Sequence, residues 1–316
     1  MQIVEAARIS QVIVAELERV IVGKQQVLQH LLLGLYSGGN VLLEDFPGLA
    51  KTLIARLLAQ VTGLAFKRIQ FTPDLLPGDI TGGFIYNQKR GEFEFRPGPL
   101  FTNMVLADEI NRAPPKTQAA LLEVMQEHQV TIEGVTYPVP KPFIVLATQN
   151  PIELEGTYPL PEAQLDRFIM RLQLGYPSLE EEQEILRRRG KRAQDKVDLA
   201  PLIDTSQLLH IQAAVEQVHV SEAVARYIVC LTAATRTHSQ VQVGASPRGS
   251  LALYQLARAH ALLQGRDFVL PDDVKAMASA ALAHRLLLKP EFWVRGIQAE
   301  DIVHDIVAHT PVPKAD

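Results

Sequence analysis

Apolar residues from Ile3 to Ile21 recur at helical spacing, and the pattern predicts an amphipathic helix there. The uncharged stretch from Gln25 to Leu43 holds Gln, His, Ser, Asn and a Gly-Gly pair, which makes it too polar to span a bilayer. It reads as helix, turn and strand, the strand being Asn40–Glu44 between Gly-Gly and Pro-Gly. Thr52 to Val61 follows as a helix. Met104–Ala107 and Phe143–Ala147 are two further continuous apolar runs, as central parallel strands require. Two alternating segments predict hairpins: Phe84–Tyr86 with Glu92–Phe95 around a turn ending at Gly91, and Val130–Ile132 with Val135–Tyr137 around Glu133-Gly134. Helical and strand patterns in alternation predict an α/β fold, a parallel sheet with helices over it.

The pattern changes near Tyr176-Pro177. Ser178 with Glu181 forms a capping box, and the helix it opens runs to about Gly190. From Pro201 onward the periodicity is helical, with no convincing strand. Ser246-Pro247 opens one helix that Gly265 closes, and Pro271-Asp272-Asp273 opens another. The expected organisation is an α/β core over residues 1–177, a connecting helix and linker over 178–200, and a small all-helical domain over 201–316.

Composition narrows the possibilities. At about 150 residues per domain, 316 residues favour two domains. Hydrophobic residues are 47% and charged residues 21%, which excludes wholesale disorder. The net charge of −4 offers no bulk attraction to nucleic acid or to an anionic membrane. Cys230 alone cannot close an internal disulfide, and within Ile228–Leu231 it reads as a buried, inert thiol. The opening Met1–Glu5 lacks the basic-then-apolar order of a signal peptide. The expectation is a soluble, cytoplasmic protein with no membrane insertion.

Two polar features carry less chemistry than their composition suggests. The basic run Arg187–Arg192 follows four glutamates on the same helix, so Glu184 with Arg188 and the helix C-terminus account for it as a solvated end. The nine histidines show no metal-ligand spacing, and His304 with Asp301 reads as a polar surface pair.

The chemistry concentrates at strand ends. After Glu44 comes Asp45-Phe46-Pro47-Gly48-Leu49-Ala50-Lys51-Thr52 and then a helix. A phosphate loop needs small residues so that backbone N–H groups curl round the anion, a Lys for the outer phosphates, and a hydroxyl for Mg²⁺. The helix start adds its positive end. Asp45 and Ala50 stand where glycine is expected, and an ordinary turn at a helix start is the rival reading. The strand Met104–Ala107 runs into Asp108-Glu109, a pair suited to hold Mg²⁺ through water and to polarise an attacking water. An acidic N-cap is the alternative there. The strand Phe143–Ala147 runs into Thr148-Gln149-Asn150, which sets an amide beside that pair. Three polar clusters at three strand ends are hard to assign to packing.

The segments Phe46–Thr52, Ala107–Pro114, Ala147–Pro151 and Leu160–Phe168, with Ser246-Pro247-Arg248, closely resemble the MoxR family of AAA+ ATPases, over essentially the whole chain. The resemblance implies a P-loop AAA+ core with two β-hairpin insertions and a helical lid. It implies nucleotide contacts from Pro47, Gly48, Leu49, Ala50, Lys51, Thr52, Leu53 and Asp108, with Thr52 and Asp108 on Mg²⁺. Glu109 would act on water, Asn150 as sensor 1 and Arg248 as sensor 2, with ATP at the core–lid junction. Arg167 would be the arginine finger that reaches a neighbouring subunit's nucleotide, and Val22-Gly23 would border adenine. Arg248 also gains from its place at the second position of a helix, where its charge adds to the dipole. The implied activity is ATP hydrolysis in a homo-oligomeric ring, expected to be a hexamer, that remodels a client protein. A von Willebrand factor A domain protein is the associated type of partner. The hairpin tips, near Gln88 to Arg90, are expected to touch clients. The alternatives are a nucleotide-gated scaffold with little turnover, and a chelatase or DNA-remodelling motor subunit.

Overall fold

The computed structural model describes residues 2–150, 156–194 and 197–313; Met1 and Pro151 lie outside the described residues. The order of elements is α1 (Ile3–Glu18), α2 (Gln25–Tyr36), β1 (Val41–Glu44), α3 (Lys51–Val61), β2 (Phe66–Gln70) and the short α4 (Pro77–Thr81). The hairpin of β3 (Gly82–Asn87) and β4 (Glu92–Pro97) follows, then β5 (Met104–Asp108) and α5 (Pro115–Glu127). A second hairpin, β6 (Gln129–Ile132) and β7 (Val135–Pro138), leads to β8 (Ile144–Gln149), α6 (Glu162–Leu165) and β9 (Met170–Leu172).

Five strands make one parallel sheet in the order β2-β5-β8-β1-β9. Successive side chains on a strand point to opposite faces, and both faces are covered. Val41 and Leu43, Met104 and Leu106, and Ile144 and Leu146 therefore enter one apolar core with α1, α2 and α3. Leu42, Val105, Ala107, Val145 and Ala147 enter the other, against α5. The register pairs Glu44 with Gln149 and Gln70 with Asp108, so the polar strand ends share one edge of the sheet.

Two core strands escaped the pattern reading. β2 is the sheet's edge and reads Phe-Lys-Arg-Ile-Gln, charged residues that an edge strand tolerates. β9, the opposite edge, has three residues, too few to show a period.

The capping box at Ser178 and Glu181 forms as expected, and α7 (Leu179–Arg192) crosses to the C-terminal half with none of its residues buried. That half contains α8 (Thr205–Gln217), α9 (Glu222–Thr237), β10 (Val241–Val243), α10 (Pro247–Leu263), α11 (Pro271–Leu282), β11 (Leu287–Leu288), α12 (Pro290–Trp293) and α13 (Ala299–His309). The expectation of no strand after Pro201 needs correction, because β10 and β11 pair antiparallel. At three and two residues they lie below what periodicity can detect. α10 packs on α1 and α2, and α8 on α2, so the apolar core runs without a break from sheet to lid.

Two side-chain readings also change. Cys230 is exposed, not buried. A four-residue apolar run on a helix cannot point inward throughout: Ile228 and Leu231 are buried, while Val229 between them is 56% exposed. Asp301 caps the backbone N–H of Gln298 and makes no pair with His304 among the described residues. Glu184 and Arg188 do meet, at 2.7 Å. In the first hairpin, Phe84 and Phe95 pack inward, Phe95 stacking on Tyr137 of the second hairpin at 4.3 Å. Tyr86 and Phe93 pair beyond that contact and stay 53% and 68% exposed. Among the described residues no helix is long and apolar enough to cross a membrane.

Candidate active site

The loop between β1 and α3 is built on two left-handed residues. Gly48 takes φ +84 with open space at its Cα, so conformation and not room requires glycine there. Ala50, the residue before α3, takes φ 59 and ψ 18, a conformation that costs a residue with a Cβ about 1–2 kcal/mol. Asp45 has a specific use: its buried carboxylate accepts from the backbone N–H of Phe46 at 3.0 Å, of Gly175 at 2.8 Å and of Leu174. The loop is thereby tied to the chain leaving β9. Lys51 Nζ donates to the carbonyls of Asp45 at 2.6 Å and Phe46 at 3.0 Å. Burial lowers its pKa, opposed by the carboxylates of Asp45, Asp108 and Glu109.

At the end of β5, Asp108 and Glu109 are held from several sides. Thr148 Oγ1 donates to Asp108 Oδ1 at 2.7 Å and accepts from the Glu109 N–H at 2.8 Å. Glu109 takes φ 58, a second left-handed residue with a side chain. Arg68 pairs with Asp108 Oδ2 at 2.7 Å. Gln70 donates to Glu109 Oε2 at 2.8 Å, and Arg112 approaches the same oxygen at 3.2 Å. The sequence reading assigned no role to Arg68, Gln70 or Arg112. The usable signal was the edge strand itself, since a basic residue and an amide two apart share one face.

These groups enclose a cavity of about 430 Å³, lined by Pro47–Leu53, Arg68, Asp108, Glu109 and Thr148–Asn150. The structure thus gathers most of the expected set, Thr52, Leu53 and Asn150 included, round one cavity. A triphosphate and Mg²⁺ fit the donor set: a lysine, a helix start, a hydroxyl and an acidic pair. Among the described residues no three or more His, Cys, Asp or Glu are grouped so as to hold a metal ion by themselves.

Four expected residues do not line it. Val22 and Gly23 stand apart, and a Cβ at Gly23 would strike the Glu181 carboxylate at 2.0 Å. Arg167 and Arg248 line a separate pocket of about 260 Å³ with Asp166, Arg285, Leu251 and Gln255. No described lid residue lines the first cavity. The packing of α10 on α1 and α2 places its N-terminus beside the Arg167 loop. Neither arginine side chain has a hydrogen bond or ion pair among the described residues, and Arg167 Nε is buried without a partner.

The strand order, the phosphate loop after β1 and the acidic pair ending β5 define the AAA+ class of P-loop ATPases. Residues 40–170 match the family of ATPases associated with various cellular activities, and residues 233–306 match the AAA lid domain. YeaC of Bacillus subtilis is 51% identical over 95% of this chain and 93% of its own. The chaperone MoxR1 of Mycobacterium tuberculosis is 46% identical over 95% of this chain and 81% of its own. A crystal structure from Cytophaga hutchinsonii superposes with a TM-score of 0.92 at 43% identity, covering 99% of this chain and 97% of that one. The chain belongs to the MoxR family of AAA+ ATPases.

Proposed function

We propose that the protein is a Mg²⁺-dependent ATPase that works as a ring, each site being completed by a neighbouring copy, and that hydrolysis remodels or matures a client protein. One observation carries this reading. The two arginines expected at the nucleotide, Arg167 and Arg248, line a pocket separate from the phosphate-loop cavity, and neither side chain makes an ion pair among the described residues, the nearby Asp166 being taken by Arg285. Two unopposed guanidiniums side by side call for an anion from outside the chain. Delivered by a neighbour, they would meet the terminal phosphates held by Lys51 and the loop N–H groups.

Thr52 and Asp108 would hold Mg²⁺, which when bound neutralises phosphate charge. Glu109 would accept a proton from the attacking water and the Asn150 amide would orient that water, both residues lining the cavity. Arg167 and Arg248 would stabilise the charge that develops on the transferred phosphoryl group, worth about 10³-fold in rate where such a finger operates. The client-directed part of the reading rests on the similar chain named a chaperone, and on the exposed Tyr86 and Phe93 at the first hairpin. A von Willebrand factor A domain protein remains the partner class to try first.

The scaffold reading, binding with little turnover, has one observation in its favour: Arg68 occupies the carboxylate that would hold the ion. ATP turnover per subunit, measured with Mg²⁺ over a wide range of protein concentration, separates the two. A rate that climbs steeply and then levels is expected for sites made between copies. Arg167→Ala should bind ATP yet not hydrolyse it, and mixing it with Lys51→Ala should restore part of the rate. A flat, near-zero rate at every concentration, with no restoration at any mixing ratio, would overturn the proposal.

A further inference from the structure

Arg285 follows α11 in the lid, and its side chain is 3% exposed. An arginine carries five N–H donors in a fixed planar fork, so a buried one must find acceptors in the same plane. Arg285 finds them almost entirely on one loop. Its Nε donates to Asp166 Oδ1 at 2.9 Å, and its Nη2 to the carbonyls of Asp166 at 3.2 Å and Phe168 at 2.6 Å. Its Nη1 reaches the carbonyl of Ile169 at 3.4 Å, with Ala281 O and His284 Nε2 on its other side. The neighbouring His284 adds a contact to Phe168 O at 3.2 Å. The lid thus grips the residue before Arg167 and the two after it, and leaves the Arg167 side chain alone.

The same carboxylate makes a second connection. Asp166 Oδ2 accepts from Ser246 Oγ at 2.9 Å. Ser246 is the N-cap of α10, and its hydroxyl also accepts from the backbone N–H of Arg248 at 3.1 Å. One carboxylate therefore joins a buried lid arginine to the cap of the helix that presents Arg248. Asp166 is also what balances the Arg285 charge, the only ion pair Arg285 makes among the described residues. Such a buried pair is a weak source of stability but a strong constraint on geometry, because moving either partner strands the other's charge.

From this we infer that Arg285 is a positioning residue: through Asp166 and Ser246 it fixes Arg167 and Arg248 as one rigid pair on the pocket they share. Adhesion of lid to core alone would not require three carbonyls flanking a single residue. The consequence is mechanical. A lid movement that opens the Arg285–Asp166 contact parts Arg248, which moves with the lid, from Arg167, which stays on the core, so lid position decides whether the two act as a pair on a neighbour's phosphate. Arginine pairs gain their effect from orientation, and a displacement of about 1 Å can cost about 10²-fold in rate.

The inference rests on delivery of the arginine pair to a neighbouring copy, and the test separates the two. Arg285→Lys keeps the charge but cannot span the Asp166, Phe168 and Ile169 acceptors. The expected result is a kcat lowered by about 10- to 100-fold with ATP binding by the isolated subunit unchanged, since the phosphate-loop cavity shares no residue with this junction. Mixing Arg285→Lys with Lys51→Ala, whose arginine face is intact, should restore part of the rate, whereas mixing it with Arg167→Ala should not. A kcat at the parent level, or a loss of ATP binding that equals the loss of turnover, would overturn the inference. Failure of Arg167→Ala and Lys51→Ala to complement one another would instead overturn the delivery between copies. Should Arg285→Lys not fold, Ser246→Ala removes a single hydroxyl from the same junction and decides by the same readouts.

Discussion

The phosphate-loop cavity and the arginine pocket are made in opposite ways. The first sits at strand ends and holds two side-chain-bearing residues in left-handed backbone, Ala50 and Glu109. Its cations are already answered: Lys51 by two carbonyls, Arg68 by Asp108. The second pocket has none of the left-handed residues, and its exact shape comes from a buried side-chain junction between lid and core. The cavity thus has acids and a helix start, and the pocket has positive charge without an ion pair among the described residues. On the proposed function, that difference makes a single copy two unlike half-sites.

The largest effect should come from the cradle. Lys51→Ala removes the cation aimed at the outer phosphates, and ATP affinity is expected to fall by more than about 100-fold in a nucleotide titration. Tight binding retained by this variant would remove the phosphate assignment and with it one side of the comparison. Glu109→Gln comes next: binding kept, turnover down by about 10²- to 10⁴-fold, the range of general-base loss. A smaller effect should follow from Arg68→Gln. With its partner gone, Asp108 no longer has to exchange a guanidinium at 2.7 Å for the metal ion. The Mg²⁺ concentration giving half-maximal turnover should drop by about 3- to 10-fold, as expected for removing one partly exposed ion pair. An unchanged Mg²⁺ dependence would mean that Arg68 and the ion do not compete.

The two regions also differ in how far the sequence revealed them. Strand ends carry their chemistry in short contiguous runs, so Lys51-Thr52, Asp108-Glu109 and Asn150 stand out in the sequence alone. The fold was legible for the same reason: buried parallel strands are continuous apolar runs, and Met104–Ala107 and Phe143–Ala147 have no other plausible use. Side-chain traffic across the chain is a different matter. Asp166 meets Arg285 over 119 positions and Ser246 over 80, and nothing in the local pattern around any of them signals the others. The arginines themselves were found through family resemblance, and their common pocket needed the packing of α10 on α1 and α2. Arg68 and Gln70 were hidden by an edge strand whose charged pattern looks like a loop.

The smallest effect tests whether backbone strain in the cavity belongs to the phosphate function. Ala50 occupies left-handed backbone with an exposed methyl, so the side chain contributes little packing to offset the strain. Ala50→Gly relieves about 1–2 kcal/mol of that strain but gives the unfolded chain about 0.4–1 kcal/mol more conformational freedom. The net expectation is a gain of about 0–1.6 kcal/mol, visible as a melting temperature raised by at most about 3–6 °C. His128, at φ 52 after α5 and on neither cavity wall, supplies the comparison; its ring packs edge-on against Phe143, so His128→Gly should gain less. ATP affinity is then the deciding measurement. If the left-handed turn is what aims the α3 N–H groups, glycine, which adopts the same φ freely, should keep affinity within about 3-fold of the parent. A large loss at Ala50→Gly, with none at His128→Gly, would mean that the Cβ itself preorganises the loop, and that alanine at this position is a functional choice where glycine was expected.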